Sequence, residues 1–145
     1  MKTFLDLQAT DSSIKVELEL FPIFDLYAPT VEVTINEEVL FSGILTTSIV
    51  VSRSILLTDS VCVEIQIRDK KYSTEHETAL EIRSINIDGV NVVPRYINQS
   101  VYENDHEYNR PTNYLGFNGC WKLDITKPFY QWLHDITGQG WLLHP

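Results

Sequence analysis

The sequence predicts an all-β protein, an antiparallel β-sandwich or jelly roll with one short C-terminal helix. Apolar and polar residues alternate along several short segments, which is the pattern of strands with one buried face. Tight-turn pairs such as Asp88-Gly89 and Asn118-Gly119 separate some of these segments. Only one segment has the apolar spacing of an amphipathic helix. Such a pattern is typical of two packed sheets, and nothing divides residues 1–145 into more than one domain.

The first strands follow from the alternation alone. Residues 14–20 carry an apolar side chain at every even position, so these side chains share one face. Residues 31–35 repeat the pattern, and Asn36-Glu37-Glu38 then forms a turn into residues 39–41. The two segments are therefore predicted to form a hairpin. Residues 61–67 give a further strand, which places Cys62 on its polar face.

The strand predicted for residues 78–87 changes phase along its length. Leu80 and Ile82 share one face, whereas Ile85 and Ile87 share the other. A bulge near residues 83–84 would bring both pairs to the core. Asp88-Gly89 then turns the chain into residues 90–93, and Pro94 ends that strand because it has no N–H to donate.

Aromatic residues concentrate in the segment from about residue 95 to residue 145. Four tyrosines recur there every six residues, and an extended chain would place them on one face. They are Tyr96, Tyr102, Tyr108 and Tyr114. The alternative is a long loop in which the spacing has no structural meaning.

A short strand and the helix follow this segment. Trp121, Leu123 and Ile125 alternate with polar residues. Thr126 suits the N-cap of a helix, Pro128 its first turn and Gly138 its end. The helix carries one apolar stripe, which consists of Phe129, Trp132, Leu133 and Ile136.

The composition argues against several partners. The formal net charge is −9, and the cationic residues are scattered, so neither nucleic acid nor an anionic membrane is an expected partner. Asp6 interrupts the apolar residues near the start, so we expect no secretory signal. Without such a signal, we expect Cys62 and Cys120 to remain free thiols.

No motif in the chain indicates catalysis. There is no G-x-S-x-G segment, the four histidines are far apart, and no glycine-rich phosphate loop precedes a helix. We therefore expect no enzymatic activity. Glu103, Asp105 and Glu107 would point one way from an extended chain and suit calcium, but we favour the alternative that they form a solvated acidic loop.

Residues 30–89 are similar in layout to the small calcium-dependent carbohydrate-binding β-sandwiches of the xylan-binding type. In that family a strand ends in Asn-Asp, a loop follows, and an acidic residue opens a strand that leads to an Asp-Gly or Asn-Gly hairpin. Here a strand ends in Arg68-Asp69, Glu77 opens the next strand, and Asp88-Gly89 follows.

The resemblance implies a site at one loop edge. Asp69 and Glu77 would be calcium ligands, with Glu75 beside them, and no other cofactor is implied. Tyr72, Tyr102 and Tyr108 would then stack on sugar rings. The chain departs from the family pattern at Arg68, where Asn is usual, and at residues 78–79, where Thr-Ala replaces Arg-Asn.

The chain as a whole resembles a small virion protein of a tailed phage, of the tail-fibre, adaptor or capsid-decoration type. The resemblance rests on an acidic β-domain and on the aromatic segments 114–121 and 128–135. It implies synthesis in the host cytoplasm, location in the virion, and contacts with other virion proteins and further copies of the chain. We rank this structural role first and glycan binding second. The predicted interface residues are Tyr96, Tyr114, Trp141, Leu142 and Leu143.

Overall fold

The computed structural model describes residues 13–93 and 95–137. These residues form ten strands, one 3-10 turn and one helix, which confirms the predicted all-β class. The strands are β1 (Ser13–Phe24), β2 (Thr30–Ile35), β3 (Glu38–Ile44), β4 (Ile49–Leu56), β5 (Val61–Arg68), β6 (Thr78–Ile87), β7 (Val90–Asn91), β8 (Ser100–Asn104), β9 (Tyr114–Leu115) and β10 (Gly119–Ile125). The 3-10 turn spans Ile97–Gln99, and the helix α1 spans Phe129–Thr137.

The strands form two antiparallel sheets of five. The first sheet has the order β4-β1-β6-β7, and β9 also pairs with β6. The second sheet has the order β3-β2-β5-β10-β8. Side chains from the inner faces of both sheets make one core, in which Trp121 and Phe129 are among the largest fully buried residues. None of the described buried side-chain polar atoms lacks a hydrogen-bond partner.

Local chemistry explains the turns and the bulge. Asn36 and Glu37 have φ angles of 49° and 70°, and Asp88 and Gly89 have 51° and 83°. Positive φ at both central residues is the mark of the two-residue hairpin turn that matches strand twist. Between β1 and β6 the register shifts so that Arg83 has no partner. The predicted bulge is thereby confirmed, because the four apolar residues of β6 all become buried.

The helix is confirmed with its apolar stripe toward the core, where Phe129 is buried. Pro94 and Gly138, which were predicted to end elements, lie outside the described residues. The described helix is too short to cross a membrane.

The four tyrosines do not share one face, as expected if their spacing has no structural meaning. Tyr96 precedes the 3-10 turn, Tyr102 lies in β8 of the second sheet, and Tyr114 lies in β9 of the first sheet. The reason is that the segment bends between the two sheets, so the even spacing does not define a face.

The two thiols share the outer face of the second sheet but are separated along it. Cys62 pairs with Asp124, whereas Cys120 pairs with Gln66. Four residues of strand separate the two positions, about 13 Å, which is beyond disulfide reach. Both thiols are free, and burial, as the largest cause, raises the pKa of Cys62 to about 11.

Candidate functional site

Three loops meet at one end of the sandwich, and we call this region the loop edge: residues 69–77, 105–113 and 116–118. The strands bring them together, because Gly119 at the start of β10 pairs with Ile67 near the end of β5 and with Asn104 at the end of β8. The chain therefore leaves three neighbouring strand ends on the same side. Residues 25–29, between β1 and β2, lie at the same end, because Phe24 pairs with Thr78.

Asn118 fastens the loop between β5 and β6. Its side-chain amide donates to the Lys70 carbonyl at 2.8 Å and its amide oxygen accepts from the Lys70 N–H at 2.8 Å. Its backbone N–H donates to the Tyr72 hydroxyl at 2.8 Å. A single side chain and its own backbone thus hold two residues of the facing loop, which fixes the position of the Tyr72 ring.

Tyr72 also reaches the loop after β8. Its hydroxyl donates to Asp105 at 2.5 Å, and its ring centroid lies 4.4 Å from that of His106. The hydrogen bond from Tyr72 is the largest cause of the lowered pKa of Asp105, and the bond from His106 adds to it. The Tyr72 side chain nevertheless remains 43% exposed, so its ring is available to a ligand.

The rings at this end form a cluster around Phe117. His106 stacks on Phe117 with centroids 4.3 Å apart and an interplanar angle of 13°. Tyr108 lies 6.1 Å and Tyr72 6.2 Å from the same ring. Tyr108 is 40% exposed. Two exposed tyrosine rings are thus supported by packed aromatic neighbours, which limits the entropy lost when a ligand orders them.

A lysine supplies positive charge within this cluster. The Lys70 ammonium donates to the Gly116 carbonyl and lies 5.3 Å from the centroid of the Tyr72 ring. Partial burial lowers the pKa of Lys70, while the charges of Glu77 and Asp105 act in the opposite direction. Lys70 is therefore a partly buried cation at the loop edge.

The two predicted calcium ligands, Asp69 and Glu77, lie in surroundings that differ from each other. Glu77 accepts a hydrogen bond from the Tyr114 hydroxyl; burial first, and this bond second, raise the pKa of Tyr114 to about 12. Asp69 has a φ angle of 58° and lines an open cavity of about 310 Å³ together with Tyr27, Lys71 and other residues.

This arrangement does not fit a calcium ion. Within 13–93 and 95–137, no three acidic, histidine or cysteine side chains come close enough to share a metal, whereas calcium takes six to eight oxygen ligands. Asp69 also stands between Arg68 and Lys70 in the chain. The other predicted acidic set is dispersed, because Glu103 lies in β8 while Asp105 bonds to Tyr72 and Glu107 has a φ angle of 55°. The expected extended backbone is absent there.

Of the three tyrosines predicted to bind sugar, Tyr72 and Tyr108 come together at the loop edge. The prediction that Tyr102 stacks on a sugar ring is wrong, because its own ring is not exposed. It is 6% exposed, its hydroxyl donates to the Phe117 carbonyl, and it accepts from the Phe117 N–H at 2.9 Å. Tyr102 therefore supports the ring cluster from below.

The predicted interface residues are scattered. Tyr96 is half-buried and packs edge-on against Trp132 with centroids 6.0 Å apart. Tyr114 is exposed at the loop edge and bound to Glu77. Trp141, Leu142 and Leu143 lie outside the described residues, so their role stays a prediction.

Sequence reasoning missed several residues of the site: Lys70, His106, Phe117 and Asn118. Asn118-Gly119 carried a signal for a turn, but nothing in the local pattern indicates that the Asn118 side chain binds the loop 48 residues before it. The other three residues carried no periodic signal.

The chain matches no protein-family model and no curated protein by sequence. Two solved structures share its fold. A structure of vCBM60 in complex with galactobiose is 14% identical, with 76% of this chain and 97% of that chain aligned and a TM-score of 0.52. A selenomethionine form of vCBM60, described with a circular permutation that links two families of calcium-dependent carbohydrate-binding modules, is 15% identical, covers 77% of this chain and 91% of that one, and has a TM-score of 0.51. The described domain thus has the fold of a carbohydrate-binding module.

Proposed function

We propose that this domain binds glycans at the loop edge, without catalysis. The observation that carries the proposal is the pair of exposed rings, Tyr72 and Tyr108, held around Phe117 on a fold shared with carbohydrate-binding modules. The apolar face of a sugar ring packs on aromatic rings, and a few polar groups beside them fix its orientation. The polar groups beside these rings are Asp105, His106 and Lys70.

The proposed binding does not need calcium. The similar structures come from calcium-dependent families, but here no three acidic, histidine or cysteine side chains of the described residues come close enough to share a metal, and the Gly116 carbonyl holds the Lys70 ammonium at the same edge. A positive charge near carboxylates reduces their attraction for a second cation. Sugar hydroxyls would then meet this ammonium and the Asp105 carboxylate directly.

The phage-particle role that we ranked first from the sequence stays a prediction, because no described contact bears on it. The same holds for its location in a virion and for the other virion proteins as partners. Glycan binding has the support of the fold and of the ring cluster, so it now takes precedence.

A glycan array tests the proposal. The full chain should bind a defined set of glycans equally in EGTA and in millimolar calcium, with galactobiose among the probes. Tyr72→Ala should lose this signal. Tyr130→Ala is the matched control, because Tyr130 lies at the other end of the sandwich, where it bonds to Asp88 at 2.6 Å. No signal on the array, or equal losses in both variants, would contradict the proposal.

A further inference from the structure

In the part of the chain that the structure describes, the strand β4 forms an edge of the first sheet. Among the described residues it pairs only with β1, through eight consecutive residue pairs without a bulge. Its other side therefore presents a row of backbone N–H and C=O groups, which is a template for pairing with another chain. Natural proteins usually protect such edges with charges, prolines, bulges or very short strands.

The remaining described edge strands carry such protection. In β3 the register shifts so that Leu40 has no partner in β2, and Gly43 has a φ angle of 144°. The edge strand β7 has two residues, and β8 carries Glu103. The strand β4 is regular and eight residues long, and Arg53 is its only charged residue.

Charge is also missing around β4. Residues 39–58 contain one charged side chain, Arg53, in a chain where 21% of residues are charged and the net charge is −9. The Arg53 guanidinium is already occupied, because it forms an ion pair with Glu38 at 2.8 Å and donates to the Asn36 carbonyl at 2.9 Å. Two acidic copies would repel each other less along this strand than elsewhere, because the only like charges that meet there are the two Arg53 guanidinium groups, each paired with its own Glu38.

The sequence of β4 is close to a palindrome about Arg53. Residues at equal distance on either side have like side chains: Ser52 and Ser54, Val51 and Ile55, Val50 and Leu56, Ile49 and Leu57. An antiparallel strand paired with itself across a two-fold axis places such residues opposite each other. A palindromic strand therefore offers matched side chains to its own copy.

We propose that two copies of this chain associate through β4, antiparallel and with Arg53 on the two-fold axis. Val50 and Leu56 are 59% and 52% exposed, and in this register Val50 lies opposite Leu56 of the second copy on the outer face. Ser52 lies opposite Ser54 in the same way. The first sheets of the two copies then join into one continuous sheet, and cross-strand apolar pairs cover the exposed side chains.

The two loop edges lie at opposite ends of this dimer, because the paired strands run in opposite directions. A consequence that rests on the proposed function is that one dimer holds two glycan chains approaching from opposite sides.

Sedimentation velocity of the full chain tests the proposal. We expect a dimer at about 100 μM, a concentration suited to micromolar affinity. Ser52→Lys/Ser54→Lys sets lysines opposite lysines and should give a monomer with an unchanged circular dichroism spectrum. Ser42→Lys/Ile44→Lys adds the same charge to exposed positions of β3 and should leave the dimer intact. A wild-type monomer, a dimer that survives the β4 lysines, or one lost equally in both variants would overturn the proposal.

A cross-link tests the register. In a Cys62→Ser/Cys120→Ser background, Val50→Cys/Leu56→Cys should give a covalent dimer under mild oxidation. The two positions are about 20 Å apart within one chain, so they cannot pair with each other there. A Val50→Cys/Ser54→Cys chain is out of register and should cross-link poorly. Equal cross-linking in both chains would overturn the proposed axis.

Discussion

The hydroxyl of Tyr72 donates a 2.5 Å hydrogen bond to Asp105, which joins two loops that lie 33 residues apart in the chain. The same hydroxyl accepts from the Asn118 N–H, so Tyr72 links all three loops of the edge. Its ring is therefore positioned before any ligand arrives. Preorganisation of this kind raises affinity, because fewer side chains must be ordered on binding.

The first prediction concerns the charge of Asp105. Tyr72→Phe removes the hydrogen bond that contributes most to the lowered pKa of Asp105, so this pKa should rise toward its ordinary value. His106 remains as a second partner, so the return should be partial. A carboxyl group whose pKa is lowered in the folded state stabilises the protein when the pH lies above the group's ordinary pKa. This contribution disappears as the pH falls through the folded-state pKa. Side-chain NMR titration measures the change.

Tyr108→Phe is the control for that titration, because Tyr108 contacts the ring cluster through Phe117. It should leave the Asp105 pKa where it is in the wild type. An unchanged Asp105 pKa in Tyr72→Phe would show that the hydrogen bond does not exist in solution.

The second prediction separates the buried tyrosine from the exposed one. Tyr102→Ala opens a cavity and leaves the Phe117 N–H and carbonyl without their partner. It should lower the free energy of unfolding by about 3–5 kcal/mol. Tyr72→Ala should cost about 1 kcal/mol, since Tyr72 is 43% exposed and its removal opens no core cavity. Urea unfolding of both variants measures the difference, and equal losses would place Tyr102 at the surface instead.

The third prediction concerns the close approach of β8 and β10. A Cβ atom at Gly119 would contact the Glu103 carbonyl oxygen and lie 2.7 Å from the Asn104 Cα, and both are backbone atoms. Gly119→Ala should therefore lower the free energy of unfolding by about 3 kcal/mol. At Gly116 the nearest atom is in the Tyr114 ring at 3.0 Å, and a side chain can move.

Gly116→Ala is thus the matched control and should cost about 1 kcal/mol. Thermal unfolding monitored by tryptophan fluorescence compares the two variants. If Gly116→Ala proved the more damaging substitution, the described pairing of β8 with β10 would be incorrect.

The fourth prediction concerns calcium. The midpoint of thermal unfolding should be the same in EGTA and in millimolar calcium, because no three acidic, histidine or cysteine side chains of the described residues come close enough to share a metal. A calcium ion bound only to the folded state at a hundredfold excess over its Kd would add about 2.7 kcal/mol, which is several degrees for a domain of this size. A rise of that kind, abolished by Asp69→Ala, would contradict the account.

Most of the strands could be predicted from the sequence because each depends on a local pattern. The period of two in residues 14–20, and the phase change between Ile82 and Ile85, reflect which face of a sheet meets the core. Neighbouring residues therefore carry the information. The turn at Asp88-Gly89 is equally local, since it depends on which residues tolerate positive φ.

The candidate site was only partly predictable. Tyr72 and Tyr108 were identified, but Tyr102 was misplaced because its burial depends on the pairing of β8 with β10. The ligand set of Asp69 and Glu77 followed from a resemblance, and the contact of Glu77 with Tyr114 joins residues that are distant in sequence. Local patterns contain no information about such contacts.

NMR titration with the best glycan from the array shows whether glycans bind at the loop edge. Backbone amide shifts should change in residues 69–77, 105–113 and 116–118, and these changes should disappear in Tyr72→Ala. Shifts confined to the outer face of the second sheet, around Glu64, Gln66 and Lys122, would contradict the account.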